Sequence, residues 1–297
     1  MSVAGATAQQ RSISATVRDY ISLLKLRIVA LLDVTAVGVM LPAAHGHPRP
    51  AAVLAVLIGL TCAAGGANAI NMWFDRDIDA EMTRTRRRPL PAGRIPPWHA
   101  LVLGIGLSAV AFAVLWVGAN LLAAALDLTG ALIYVFVYTI WLKRSTPQNI
   151  VIGGAAGAMP PLVGWAAATG RLDLTALAFF GVVLFWTPPH FWALAQMIKN
   201  DYARANVPML PVVAGEQSAK RQSIVYAVLT VGASLVPFLT GAAGAVYLAG
   251  AIVLGLGLVG ITLLDLEGKR WTRRLWTYSM VYLALLFAVF SVSPFLP

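Results

Sequence analysis

Nine apolar runs, at roughly residues 27-44, 51-74, 98-118, 120-142, 150-169, 173-198, 222-243, 245-264 and 275-295, divide this chain almost from end to end. Each is about 20 residues or more, the length a helix needs to cross about 30 Å of hydrocarbon. Hydrocarbon holds no water to satisfy backbone N–H and C=O groups, so each run must pair them within itself, as a helix does. The expected fold is therefore an all-α polytopic membrane protein with nine transmembrane helices. A soluble domain is excluded by composition: 59% of the 297 residues are hydrophobic, 11% are charged, and the mean hydropathy is +0.77.

Charge supplies the orientation. Of 22 lysines and arginines, all but Arg49 and Arg171 fall in the N-terminal segment and in the alternate loops 75-96, 143-149, 199-221 and 265-274. By the positive-inside rule these are cytoplasmic. The net charge of +10 then describes a basic rim suited to anionic headgroups and anionic substrates, and no nucleic acid is needed to explain it. Residues 1 to 25 are polar and lack the pattern of a cleaved leader, so a cytoplasmic N-terminal segment 1-25 and a single transmembrane domain 26-297 are expected. Cys62 is the lone cysteine and lies in an apolar run, which rules out an intrachain disulfide or a cysteine zinc site.

Chemistry concentrates where the second run ends. From Asn68 to Arg94 the chain reads N-A-I-N-M-W-F-D-R-D-I-D-A-E-M-T-R-T-R-R-R-P-L-P-A-G-R. Asn71, Asp75 and Asp79 recur every fourth residue, so a helix would stack them about 6 Å apart in one stripe. Arg84, Arg86, Arg87 and Arg88 follow. Oxygen ligands suit Mg²⁺ and arginines suit phosphate; the bland alternative is a solvated loop with weak surface ion pairs. That alternative is the better reading for Arg76, Asp77 and Glu81, which fall off the stripe.

The remaining signals are sparser. Lys143 and Arg144 are an ordinary positive-inside pair unless they join the same site. Gly153 to Trp165, G-G-A-A-G-A-M-P-P-L-V-G-W, offers a small-residue face for close helix packing, and Pro160 and Pro161 are expected to break its ladder. In the sixth run His190 follows Pro188 and Pro189 and is flanked by Trp186, Phe191 and Trp192. A polar residue at that depth is a functional candidate, with hydrogen-bonded packing as the plain alternative. Asp33 and Asp127 have no partner legible in the sequence, and the last three runs read as scaffold.

With the Asn-Asp-Asp stripe followed by R-P-L-P-A-G, the chain resembles the UbiA superfamily of intramembrane prenyltransferases. The stretches M-T-R-T-R-R-R-P-L-P-A-G-R-I, Y-T-I-W-L-K-R-S-T-P-Q-N-I-V-I-G-G-A-A-G-A-M-P-P-L-V-G-W and W-T-P-P-H-F-W-A-L-A with D-Y-A-R-A-N-V-P-M-L-P-V-V resemble its haem-farnesylating branch, from about Tyr20 to Val213. The resemblance implies a nine-helix bundle around a lipid-open cavity. It implies transfer of a farnesyl group from farnesyl diphosphate to a vinyl of haem B with addition of water, giving haem O. It further implies Mg²⁺ on Asn71, Asp75 and Asp79, diphosphate on Arg84, Arg88, Lys143 and Arg144, and haem beside His190, Trp186 and Trp192. The partners implied are the two substrates, the bilayer, and the downstream haem A synthase or oxidase assembly. Two departures stand out: the second Asp-x3-Asp motif is replaced by K-N-D-Y-A-R, leaving Asp201 as its one acid for metal and Lys199 as added charge for the diphosphate, and Leu26 stands where proline is expected between Lys25 and Arg27. The alternatives are a quinone or chlorophyll-type prenyltransferase of the same superfamily, or a secondary transporter with broken helices.

Overall fold

The computed structural model describes residues 12–295. Its helices in chain order are α1 (Ile13–Leu23), α2 (Leu26–Ala43), α3 (Pro50–Phe74), α4 (Arg76–Glu81), α5 (Pro97–Gly118), α6 (Leu121–Leu132), α7 (Asn149–Thr169), α8 (Leu174–Met197), α9 (Lys199–Arg204), α10 (Leu210–Val213), α11 (Glu216–Leu239), α12 (Ala245–Leu264) and α13 (Lys269–Val292). Among the described residues nine helical stretches are long and apolar enough to cross a membrane, close to the runs read from the sequence. Local signals set their ends. Pro50 and Pro97 sit in first turns, where the missing N–H is not needed, and the Asn120 and Asp173 side chains cap α6 and α8. Gly170, at a φ of +72°, closes α7 in the left-handed conformation that glycine adopts without strain.

The spans form a closed ring: α2, α3, α5, α6, α7, α8, α11, α12 and α13 each pack on the next, and α13 returns to α2. The most buried span is α7. Its small-residue face does what the sequence suggests. A Cβ on Gly164 would lie 2.1 Å from the Ala36 carbonyl oxygen of α2, and one on Gly154 would lie 3.1 Å from Thr187 of α8. A groove of about 450 Å³ opens between α2, α3 and α13, lined by Asp33, Leu57 and Ser291 among otherwise apolar side chains.

One expectation needs correction. Pro160 and Pro161 do not break α7, which runs through the pair, as α8 runs through Pro188 and Pro189. In the membrane the freed carbonyls have no water to draw the chain out of the helix, and packed neighbours hold it in place. The irregular backbone lies instead beyond α6, where Ile133–Trp141 form a π-helix and Leu142–Arg144 a 3₁₀ turn. The last three spans, read as scaffold, are tied to one another at one end. Lys220 of α11, 4% exposed, donates to the Asp265 carbonyl at 2.6 Å, and Thr272 of α13 donates to the Asp265 carboxylate, forming a buried polar joint between the three. Of the polar segment 1-25, residues 1–11 lie outside the described residues, while Ile13–Leu23 form α1, joined to the bundle by Asp19–Arg94 and Tyr20–His99.

The Gly164 approach gives a direct packing test. Gly164→Ala is expected to lower the melting temperature of the purified protein, at a stability loss of about 1–3 kcal/mol. Gly157→Ala, whose added Cβ meets nothing within 4 Å, is the control. Equal Tm changes at both positions would refute the close α2–α7 contact.

Candidate active site at one rim of the bundle

Asn71 lies in the last turn of α3, Asp75 caps that helix, and Asp79 lies in α4. The helix axis breaks at Asp75, yet the four-residue step survives. Asp75 N–H donates to the Asn71 carbonyl at 2.9 Å, and Asp79 N–H to the Asp75 carbonyl at 2.8 Å. The three side chains therefore stay on one face and are 4%, 1% and 3% exposed. Two buried carboxylates so close to hydrocarbon are tolerated only with compensating charge. Arg88 Nη1 bonds Asp79 Oδ2 at 2.7 Å, Lys143 Nζ bonds Asp75 Oδ2, and Arg144 Nη2 lies 3.5 Å from Asp75 Oδ1. Arg88, Lys143 and Arg144, drawn from two separate loops, thus converge on the stripe as the sequence suggested. Asn71 Nδ2 donates to Asp75 Oδ2 at 2.7 Å and to Thr139 Oγ1 at 3.1 Å.

Sequence reasoning missed several members of this site. Lys25, at the α1–α2 junction with a φ of 51°, points its ammonium at Asn71 Oδ1, 3.2 Å away. Burial first, then the charges of Arg88 and Lys143, push its pKa down to about 7 against the pull of Asp79 and Asp75. Its one sequence signal is a lysine abutting the first span. Tyr134, Tyr138 and Thr139 arrive through the π-helix: its i to i+5 bonding brings side chains four and five apart onto one face. Tyr134 and Tyr138 stack at 5.5 Å, and Tyr134 O–H donates to Asn68 Oδ1 at 3.3 Å. Composition alone cannot distinguish such a segment from an α-helix. Gly153 belongs with it, because a Cβ there would lie 2.4 Å from the Tyr138 ring.

Asp77 is a surface residue as expected, 60% exposed and ion-paired there. Both its carboxylate oxygens accept from Arg144 at 2.7 Å, and this bonding holds its pKa down at about 2. Asp77 thereby aims Arg144 at Asp75. Glu81 and Arg76 remain exposed, with Arg76 donating to the Trp73 carbonyl. The other loop residues are placed differently from one another. Arg84 keeps an exposed side chain while its N–H donates to Asp201 Oδ2 at 3.3 Å; Asp201 also pairs with Arg204. Lys199 lies 3.6 Å from Glu216. Asp201 and Lys199 are thus engaged by their own neighbours, and among the described residues no three His, Cys, Asp or Glu side chains form a metal-binding group.

Deeper in the bundle, His190 Nδ1 and Ser279 Oγ share a hydrogen bond of 2.8 Å, and the imidazole stacks on Trp186 with centroids 4.3 Å apart. Trp276 of α13 extends the stack at 6.1 Å, and Trp186 Nε1 donates to the Ser279 carbonyl at 2.7 Å. Trp192 does not belong to this group. It is fully buried against Tyr226, Leu210 and Ala219, since two residues along a helix turn a side chain by about 200°. Asp33 accepts from Thr61 at 3.0 Å, whereas Asp127 has no hydrogen-bond partner among the described residues.

A rim of buried carboxylates and convergent cations on a nine-span bundle is the arrangement of a membrane-embedded transferase acting on a phosphorylated substrate. Residues 32–278 match the UbiA prenyltransferase family, and the chain belongs to that family. Among its relatives, the protoheme IX farnesyltransferase of Symbiobacterium thermophilum is 52% identical over 91% of this chain and 92% of that protein. The protein of the same name from Gloeobacter violaceus is 50% identical over 95% of this chain and 93% of its own. In fold the chain is similar to a digeranylgeranylglyceryl phosphate synthase, with a TM-score of 0.78 at 18% identity over 94% of this chain and 99% of the other. It is also similar to a UbiA homolog from Archaeoglobus fulgidus bound to GPP and Mg²⁺, with a TM-score of 0.65 at 19% identity over 92% of this chain and all of the other.

Asp77 yields the prediction that separates this geometry from a plain loop. Asp77→Asn is expected to release Arg144 and lower kcat/KM for prenyl transfer about tenfold, the usual scale for a residue that orients a binding group. Glu81→Gln should stay near wild type. Because the Asp77 pKa is depressed, its ion pair is present above the ordinary carboxylate range near 4 and is lost as pH falls through about 2. Unchanged kinetics in Asp77→Asn would remove it from the site.

Proposed function

We propose that this chain is a protohaem IX farnesyltransferase, converting haem B and farnesyl diphosphate to haem O and diphosphate. The observation that carries this is the convergence of Asn71, Asp75, Asp79, Arg88, Lys143 and Arg144 at one rim, in a family member about 50% identical over most of its length to relatives bearing that name. It is a multi-pass membrane protein in which residues 26-297 make a single prenyltransferase domain preceded by a cytoplasmic segment, and the basic rim faces the cytoplasm by its charge bias. The product feeds a downstream haem A synthase or oxidase assembly.

Asn71 Oδ1 and the Asp75 and Asp79 carboxylates are hard oxygen donors that suit Mg²⁺, and to take it they would exchange the bonds of Lys25, Arg88 and Lys143, freeing those cations for the diphosphate. Bound there, Mg²⁺ would neutralise charge on the diphosphate. Arg88, Lys143 and Arg144 hold the diphosphate oxygens by charge-assisted hydrogen bonds, joined by Lys25, with Arg84 closing from the loop. The leaving diphosphate takes the C–O bonding pair, and these fixed cations stabilise the charge that develops. The haem vinyl then gives its π electrons to farnesyl C1, forming the carbon–carbon bond. Water adds to the resulting cation beside the porphyrin, losing a proton and leaving the hydroxyl. The Trp186–His190–Trp276 stack offers flat apolar surface to the porphyrin, and aromatic faces stabilise passing positive charge. Lys199 adds charge for the diphosphate and Asp201 a further oxygen for metal once they exchange their neighbours Glu216 and Arg204 for substrate.

Membranes given farnesyl diphosphate with haem B or with 4-hydroxybenzoate decide the acceptor: a farnesyl mass is expected on haem alone, and prenylated 4-hydroxybenzoate would overturn this assignment. Asp75→Ala or Asp79→Ala is expected to lower turnover about a thousandfold, with EDTA mimicking the loss. Near-normal activity in both would make the stripe a solvated face. Haem B titration of His190→Ala is expected to show weakened binding; a shifted Soret band marks His190 as an axial ligand through Nε2, which the Nδ1–Ser279 bond leaves free, and an unshifted band marks a polar or stacking contact. Unchanged affinity would take His190 out of the haem site.

A further inference from the structure

On the outer face of α13, at the same end of the bundle as the acidic stripe, Arg270, Arg273, Arg274, Thr277, Tyr278 and Val281 line a groove of about 750 Å³, closed on the α12 side by Ile261. Their spacing of three and four residues puts all six on one helical face. Arg270, Arg273 and Arg274 are exposed, and among the described residues none has an acidic partner. They do not serve the helix itself, since cations in its first turns oppose the macrodipole. Nor do they float freely. The guanidinium carbons of Arg270 and Arg274 lie 5.5 and 4.5 Å from the Trp271 ring centroid, which fixes their spread. The floor is equally constructed: Tyr278 lies across Gly257, where a Cβ would meet its hydroxyl oxygen at 2.0 Å, and that hydroxyl donates to the Leu254 carbonyl at 2.9 Å.

We infer that this groove is a binding seat for one anionic phospholipid, its phosphate held by the three arginines and its upper acyl chain lying along Tyr278, Ile261 and Val281. The order of side chains argues for this occupant. Down α13 from the rim the lining passes from three arginines through Thr277 and Tyr278 to Val281, over about 16 Å of helix rise. That gradient matches headgroup, glycerol and acyl chain, whereas a soluble diphosphate would use only its upper third. Basic pockets between helices at the cytoplasmic interface bind anionic headgroups by the same combination of charge and apolar wall. The porphyrin propionates carry the same kind of charge, but the Trp186–His190–Trp276 stack meets Trp276 and Ser279 of α13, residues that do not line this groove.

The test is titration of the delipidated full chain in detergent with phosphatidylglycerol, read by native mass spectrometry, with phosphatidylcholine as the neutral comparison. Wild type is expected to retain one phosphatidylglycerol in preference to phosphatidylcholine. Replacing Arg270, Arg273 and Arg274 together by Gln should weaken retention roughly a hundredfold, at about fivefold per arginine, while Arg49→Gln at the opposite end leaves it unchanged. Gly257→Ala, which alters no charge but displaces Tyr278, should weaken it as well. Should the triple variant fail to fold, Arg273→Gln alone carries the test, with about fivefold weakening expected. Unchanged retention in the arginine variants overturns the site. Loss in them with full retention in Gly257→Ala reduces it to diffuse charge attraction and overturns the seat. Displacement of phosphatidylglycerol by haem B at equimolar concentration reassigns the groove to haem.

Discussion

Two carboxylates buried at the end of a membrane helix govern much of this structure. Asp75 and Asp79 are almost wholly removed from solvent, and ionised carboxylates in such a place are costly unless cations meet them. The chain supplies those cations from far apart in sequence: Lys25 at the first helix junction, Arg88 on the loop after α4, and Lys143 and Arg144 at the end of the fourth span. Each requires its carrier to be held in place. The loop of Arg88 is packed through Leu90 and Ile95 against Leu23, Ala69 and Ala100, and the loop after α8 packs Tyr202, Val207 and Met209 against Ile78 and Met82. Rim and bundle are therefore packed together, and the cations stand beside the acidic stripe before any substrate arrives, which is what electrostatic stabilisation of a leaving group demands.

The π-helix at Ile133–Trp141 follows from the same demand. A regular α-helix through this span would turn Tyr134, Thr139 and Lys143 onto diverging faces, whereas the wider π turn lets all three address α3. Local irregularity of this kind weakens the hydrogen-bond ladder and survives because Gly153 leaves room for the Tyr138 ring. On the other side of the bundle, α13 helps hold His190 through Ser279 while its outer face carries the arginine groove, so one helix joins an interior aromatic stack to the lipid boundary.

Much was legible in the linear chain. Spanning helices were readable because hydrocarbon permits no other way to satisfy their backbone, and their ends because proline, glycine and capping side chains act locally. Asn71, Asp75 and Asp79 were readable because a four-residue period survives even a break in the helix axis. The family followed from long motifs whose residues sit at the site itself. Proline misled, because its effect depends on surroundings: in water a Pro-Pro pair ends a helix, whereas in this bundle packed neighbours carry α7 and α8 through.

What only the tertiary structure decided was which side chains share a face across different helices. The helical period alone puts Trp186 on the face of His190 and turns Trp192 away, but only the packing of α13 and α11 shows that the first face meets Trp276 and the second meets Tyr226. Asp77 stays at the surface, yet only the folded chain shows that its partner there is Arg144; Lys25 looked like a flank and proved to face Asn71. Span number, rim charge and the acidic stripe were properties of the sequence by itself, because each rests on local period or on solvent. The completed charge cluster and the aromatic stack were not, because each depends on distances between helices that no local pattern encodes.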